Sequence, residues 1–252
     1  MYNTAVGHDA GKLITTGAQN TLIGGLAGDA ITTGANNTAV GYASLDANTT
    51  GADNVAVGKN ALTANTTAAH NVGIGADSLE SNTTGTANTA VGTTALGANT
   101  TASNNTAVGR SALGANTTGT TLTAVGASAL AANTTGIRNV AIGNNSLDSN
   151  TTGQLNVGVG FNTLQSNTTG NQNTGLGDNA LATNTTGANN IAIGYVSSDA
   201  NTTGDQNVSV GVGSLQSNTT ADNNTAVGYQ ALNTNTTGTE NVALGKDALK
   251  DS

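Results

Sequence analysis

An asparagine recurs every seventeenth residue, at Asn3, Asn20, Asn37, Asn54 and on to Asn241, and the register never slips. There are 14 complete copies from Asn3 to Glu240, with two residues before them and a partial copy of twelve after them. A fixed period this short excludes a conventional globule, because each copy is one small unit that buries its apolar side only against its neighbours. Counted from the asparagine, the average copy reads N-[TV]-[AG]-[VIL]-G-x-x-[AST]-L-x-[AST]-N-T-T-[GA]-x-x. Glycine fills position 5 in all 15 copies, and Thr-Thr fills positions 13 and 14 in all 14 complete ones. Leu122 is the one departure from the leading asparagine.

No copy supplies the 3.6-residue apolar spacing of a helix. Each carries one alternating stretch, such as Asn54-Val55-Ala56-Val57-Gly58, which reads as a strand. The leucine at position 9, present in 12 of 15 copies, suggests a second short extended piece such as Asn60-Ala61-Leu62. The run Asn65-Thr66-Thr67-Ala68 then reads as the corner leading to the next level. The expected fold class is all-β, a parallel β-solenoid or β-roll of 17-residue coils. At about 4.8 Å per level, 15 levels would make a rod roughly 70 Å long. The inner column is expected to be Val and Thr at position 2, Val, Ile and Leu at position 4, and Leu at position 9. Glycine at position 5 suits a positive φ or a close backbone approach. The asparagines at positions 1 and 12 are expected to form amide ladders, which Leu122 interrupts.

Residues 1–36 hold two divergent coils, and residues 37–252 hold the regular ones. In the divergent pair Gly11 and Gly28 replace the leucine, while Leu13, Ile14 and Ile31 carry apolar bulk toward the corner, as an amino-terminal cap or transition would.

Composition narrows the function classes. Fourteen Asp and Glu face six Lys and Arg, for a net charge of −8, which argues against nucleic-acid binding. There is no Cys, so neither disulfides nor thiolate metal sites form. No apolar run is long enough for membrane insertion. His8 and His70 occupy unrelated variable slots without a matching nucleophile or carboxylate. Asp46, Glu80, Asp148 and Asp199 share position 10 with Lys12 and Lys250, so no paired acid and base is implied. Gly158-Val159-Gly160 precedes no helix, which removes a dinucleotide loop. The expectation is a non-enzyme with no catalytic, cofactor or metal site. Twelve Asn-Thr-Thr sequons fit a buried amide ladder better than glycans crowded on successive levels.

The charges test the register independently, since 19 of 20 fall at positions 6, 7, 10, 16 or 17, with Asp251 the exception. Four aromatics, Tyr42, Phe161, Tyr195 and Tyr229, all fall at position 6. They are the candidate surface-contact residues, for a glycan or receptor on a cell surface; covering a groove between subunits is the alternative.

The N-T-A-V-G-x-x-A-L-x-A-N-T-T-G repeat resembles the Hep/Hag-type repeats of trimeric autotransporter adhesin heads. It is still more similar to longer arrays in bacteriophage tail fibres that precede an endosialidase-type intramolecular chaperone, and Asn20-Thr21-Leu22-Ile23-Gly24 fits how such arrays begin. The resemblance implies a left-handed parallel β-roll in a homotrimer, located on a virion or at the cell surface. It implies nothing about host or receptor. Met1-Tyr2 leads into the array with no signal peptide, and the chain ends at Ser252, either as a processed end before a chaperone or as a cut in the sequence. The small uncharged residues at position 3 are expected to form the stripe along which coils approach each other. The function expected is a fibre shaft or adhesin head. The alternatives are an ice-binding solenoid using the Thr-Thr ladder and a self-assembling extracellular filament.

Overall fold

The computed structural model describes residues 2–251, so the expectation placed on Ser252 lies outside it. The protein is all-β, a parallel β-solenoid of stacked 17-residue coils, with no helix among the described residues. Each copy, numbered here as coils 1 to 15, contributes one three-residue strand, from β1 (Thr4–Val6) to β15 (Val242–Leu244). The chain forms two compact units, one up to Ala124 and one from Val125. In the first, β1 to β7 (Thr106–Val108) pair in parallel with their sequence neighbours. In the second, β9 (Val140–Ile142) to β15 do the same. The division falls within β8 (Thr123–Val125). Like position always faces like, as Thr38 opposite Val55 and Ala39 opposite Ala56.

The strand is turned the other way from the orientation expected above. Position 3 is the inner one: Ala39, Ala56, Ala90, Ala107, Ala192 and Ala226 are all fully buried. Positions 2 and 4 face outward and are half-buried to exposed. The cause is room. Leu45, Leu62, Leu79, Leu96, Leu113 and Leu130 project from the opposite wall and are fully buried, filling the coil interior. A side chain added at Gly73 would already stand 3.3 Å from Leu62 Cγ and 3.1 Å from Ser78 Oγ. A level holding one leucine thus has space opposite it for Ala, Gly or Ser and none for a pair of β-branched residues.

The second half of the coil also differs from the extended piece expected. Positions 7 and 9 sit in the left-handed region, as at Asn60 (φ 55) and Leu62 (φ 53), and the whole segment is a run of turns. Its amides alternate: Leu62 N–H donates to Ser78 O in the next coil at 3.0 Å, whereas Thr63 N–H returns to Asn60 O at 3.3 Å. Left-handed residues cancel the strand alternation, so Ala61 and Leu62 both point inward. Leucine in this region is strained by roughly 1–2 kcal/mol, a cost its burial offsets.

Glycine at position 5 is required twice over. Its φ lies between +123 and +140 throughout, and a Cβ on Gly177 would stand 2.7 Å from Gly194 O in the coil above.

Two asparagine columns close the regular coils, with Leu122 the one gap in the leading column. The leading asparagine accepts on Oδ1 from the main chain of the next coil, as Asn54 N–H to Asn37 Oδ1 at 3.0 Å. Its amide nitrogen crosses to the end of its own coil, Asn37 Nδ2 to Gly51 O at 2.9 Å. The corner asparagine at position 12 reaches that same carbonyl, Asn48 Nδ2 to Gly51 O at 3.0 Å, and forms the amide-to-amide ladder, Asn65 Nδ2 to Asn48 Oδ1 at 2.9 Å. Both columns are buried, and only a primary amide supplies the donors and acceptor this needs. The amide ladder expected at position 1 is therefore mainly a side-chain-to-backbone one. Leu122 N–H still donates to Asn105 Oδ1 at 3.0 Å, but leucine has no amide oxygen to pass upward.

Coils 1 and 2 fill the same interior with different residues. A Cβ on Gly28 would meet Ile31 Cδ1 at 2.7 Å and Leu22 Cδ2 at 2.8 Å. Leu22 at position 3 and Ile31 at position 12, both fully buried, occupy the space that position-9 leucine takes elsewhere.

Candidate surface site

With the small column inside, the sheet presents two outward columns. All 30 residues at positions 2 and 4 are Thr, Val, Ile or Leu. Ile74, Ile142 and Leu176 expose 39%, 41% and 45% of their area, too much for a packed core. Read from the sequence alone, these same residues are the core; the structure makes them an outer face, apolar at position 4 and mixed with threonine at position 2.

The four aromatics lie beside that face at position 6, and all are about half exposed. They are not equivalent. Tyr42 stands between Gly25 and Lys59 in its column, and a Cβ on Gly25 would meet its ring at 3.5 Å. Phe161 stands between Asn144 and Asp178, and its main-chain N–H donates to Asp178 Oδ1 at 3.2 Å. Tyr195 and Tyr229 are two coils apart with Val212 between them, so three apolar side chains share one unbroken row. Their main chains are locked into the ladder: Gly213 N–H to Tyr195 O at 3.0 Å, Gln230 N–H to Val212 O at 3.0 Å, and Asp247 N–H to Tyr229 O at 2.9 Å. Lys246 follows in the row, its ammonium 5.9 Å from the Tyr229 ring centre.

In two of the same coils the core itself changes. Ser198 replaces the leucine of coil 12, and Ser209 replaces the small apolar residue of coil 13. Ser197 Oγ and Ser198 Oγ donate to Ser209 Oγ at 2.7 and 2.8 Å, Ser197 lies 3.0 Å from Ser214 Oγ, and Ser209 Oγ donates to Ile191 O at 3.2 Å. All four serines are buried and bonded. Val196, next to Tyr195, has φ 49, where a β-branched residue is an outlier. The missing leucine and the valine at a slot often held by Asn or Ser were visible in the sequence, but the bonding among the four serines was not.

The threonine pair divides its work. At position 13 the hydroxyl is bound, Thr49 Oγ1 donating to Thr66 O at 3.1 Å and Thr202 Oγ1 to Thr219 O at 2.9 Å. At position 14 the side chains, such as Thr50 and Thr203, face solvent in single file. His8 lies 3.4 Å from Asp9 and His70 3.8 Å from Asp53, all at the surface. At position 10 burial pushes the Asp46, Asp148 and Asp199 carboxyls above the ordinary range, with the neighbouring Asp29 charge adding to Asp46. Among the described residues no group of three His, Asp or Glu side chains is placed to hold a metal ion, and no helix is long and apolar enough to cross a membrane. No family model, curated protein or solved structure matches the chain.

Proposed function

We propose that the chain is a structural segment of a fibre or adhesin head, carried on a phage tail or a cell surface, whose copies associate as a homotrimer and meet a target cell. The observation that carries this reading is the outward face of positions 2 and 4, which holds 30 residues and no charge. A contiguous uncharged and largely apolar face of that kind, present on each of the two units, marks an association surface. A second copy fits it best, because only another such solenoid shares its level spacing of about 4.8 Å. The role is mechanical, and the resemblance of the repeat to adhesin heads and tail fibres agrees with it. Positions 2 and 4 take the place in this contact that the sequence alone suggested for position 3.

Light scattering tests the reading. The wild-type chain at micromolar concentration is expected at three times the chain mass. The double substitution Val210→Glu and Val227→Glu, at outward positions, is expected to give folded monomer. A monomeric wild-type chain would overturn the assembly.

A further inference from the structure

We infer that the row Tyr195–Val212–Tyr229 is a binding platform for an extended polysaccharide, its flat sugar faces stacking on the two rings. The inference rests on the fibre reading and deepens it, by naming what the surface meets. Tyr195 and Tyr229 are 56% and 49% exposed. Phe161 stands equally close to Tyr195 in the column, but the charged Asp178 lies between them, so the uncharged row begins at Tyr195. Two levels of a parallel ladder separate the rings by about 9–10 Å. That is close to the length of one disaccharide unit in an extended chain, so alternate sugars meet successive rings. The spacing is fixed by two main-chain bonds, Gly213 N–H to Tyr195 O and Gln230 N–H to Val212 O, both at 3.0 Å, which leaves little ordering to be lost on binding.

The surroundings suit a sugar better than an apolar partner. Amides flank the row: Gln230 follows Tyr229 in the chain, and Asn233 Nδ2 donates to Gly213 O at 2.8 Å and to Gln216 Oε1 at 3.1 Å. Each keeps hydrogen-bonding capacity for hydroxyls. Tyrosine contributes a ring face and a phenolic hydroxyl together. Lys246 at the end of the row adds a cation that can meet an acidic sugar, although Asp247 Oδ2 lies 3.9 Å from its Nζ. The row also begins in the one coil among the described residues where a serine stands in the leucine column, beside strained Val196. Local departures from a uniform repeat that gain no packing of their own mark places selected for something else.

The test uses the intact chain on a glycan array carrying bacterial capsular, O-antigen and peptidoglycan saccharides together with eukaryotic surface glycans. Affinities of the saccharides retained are then measured by tyrosine fluorescence, which is unmasked because the chain has no Trp. Binding of at least one saccharide is expected, weakened about five- to tenfold by Tyr195→Ala and by Tyr229→Ala alike. Tyr195→Phe is expected to bind nearly as wild type, and Tyr42→Ala to change affinity less than about twofold. Retention of no saccharide, equal losses from Tyr42→Ala, or a changed assembly mass in the ring variants would overturn the inference. Light scattering separates the two readings. A trimer that binds no saccharide defeats only the platform, whereas a monomer that binds one defeats only the assembly.

Discussion

Coils 11 and 12 are neighbours with one backbone and two kinds of interior. Coil 11 (Asn173–Asn189) keeps the common plan, with Asn179 at the first left-handed slot (φ 56) and Leu181 fully buried at the second. Coil 12 (Asn190–Gln206) puts Val196 and Ser198 in those slots at φ 49 and 48, and its interior is a serine network. The main-chain ladder runs through both unchanged, as Leu181 N–H to Ser197 O at 3.0 Å and Ser198 N–H to Ser214 O at 3.0 Å. The ladder and the asparagine columns thus carry the fold, while the leucine column sets how well each level is filled. A coil can give up its leucine provided the hydroxyls that replace it bond one another.

Substitutions that exchange the two plans separate these contributions. Leu181→Ser alone, without partner hydroxyls, should destabilise by about 3–4 kcal/mol, since it opens a cavity and buries a lone polar group. The shift of the urea midpoint measures it. Asn184→Ala should cost about 2–3 kcal/mol by the same measurement. It removes bonds to Asn167 Oδ1 at 2.9 Å and Gly187 O at 3.0 Å, and takes away the acceptor to which Asn201 Nδ2 donates at 2.8 Å. Converting coils 12 and 13 to the common plan with Ser198→Leu and Ser209→Ala together should stabilise by about 1–2 kcal/mol. If the pair destabilises instead, the interior of coil 12 has closed around its serines. Val196→Asn should raise stability by about 1 kcal/mol, because asparagine tolerates the left-handed region that valine resists.

The smallest expected effect is on pH dependence. Burial raises the Asp199 carboxyl above its ordinary 3.8, so the folded state holds this proton more tightly than the unfolded one. The contribution is fully present below pH 3.8 and is lost as pH rises through the raised value. Asp199→Asn should remove that part of the acid-side slope in urea midpoints taken across this window, leaving stability at neutral pH unchanged or slightly higher.

Much of the fold was legible in the period. A repeat without insertions forces parallel stacking in register, and the position-5 glycine and the two asparagine columns each announced a feature that the coil needs. What could not be read was which side of the strand faces in. Val55-Ala56-Val57 alternates equally well either way, and hydrophobicity alone favours burying the valines. The answer depends on Leu62 arriving from the opposite wall, and on the left-handed residues at 60 and 62 that turn Ala61 and Leu62 inward together. Left-handed leucine has no sequence signature, because propensity assigns those conformations to Gly and Asn. The aromatic slot was legible as a column; that Tyr195 and Tyr229 share an uncharged row needed the register and the coil count together.

The orientation of the strand underlies both the assembly face and the platform, and a pair of single cysteines tests it most directly in a chain that has none. In the native protein Ala226→Cys, at an inner position, should resist a thiol reagent until the coil opens. Val227→Cys, one residue on, should be shielded in the assembled protein and react quickly once dilution yields monomer. Rapid reaction of the Ala226→Cys thiol in the folded monomer, with Val227→Cys protected there, would place the valines inside and contradict the orientation described.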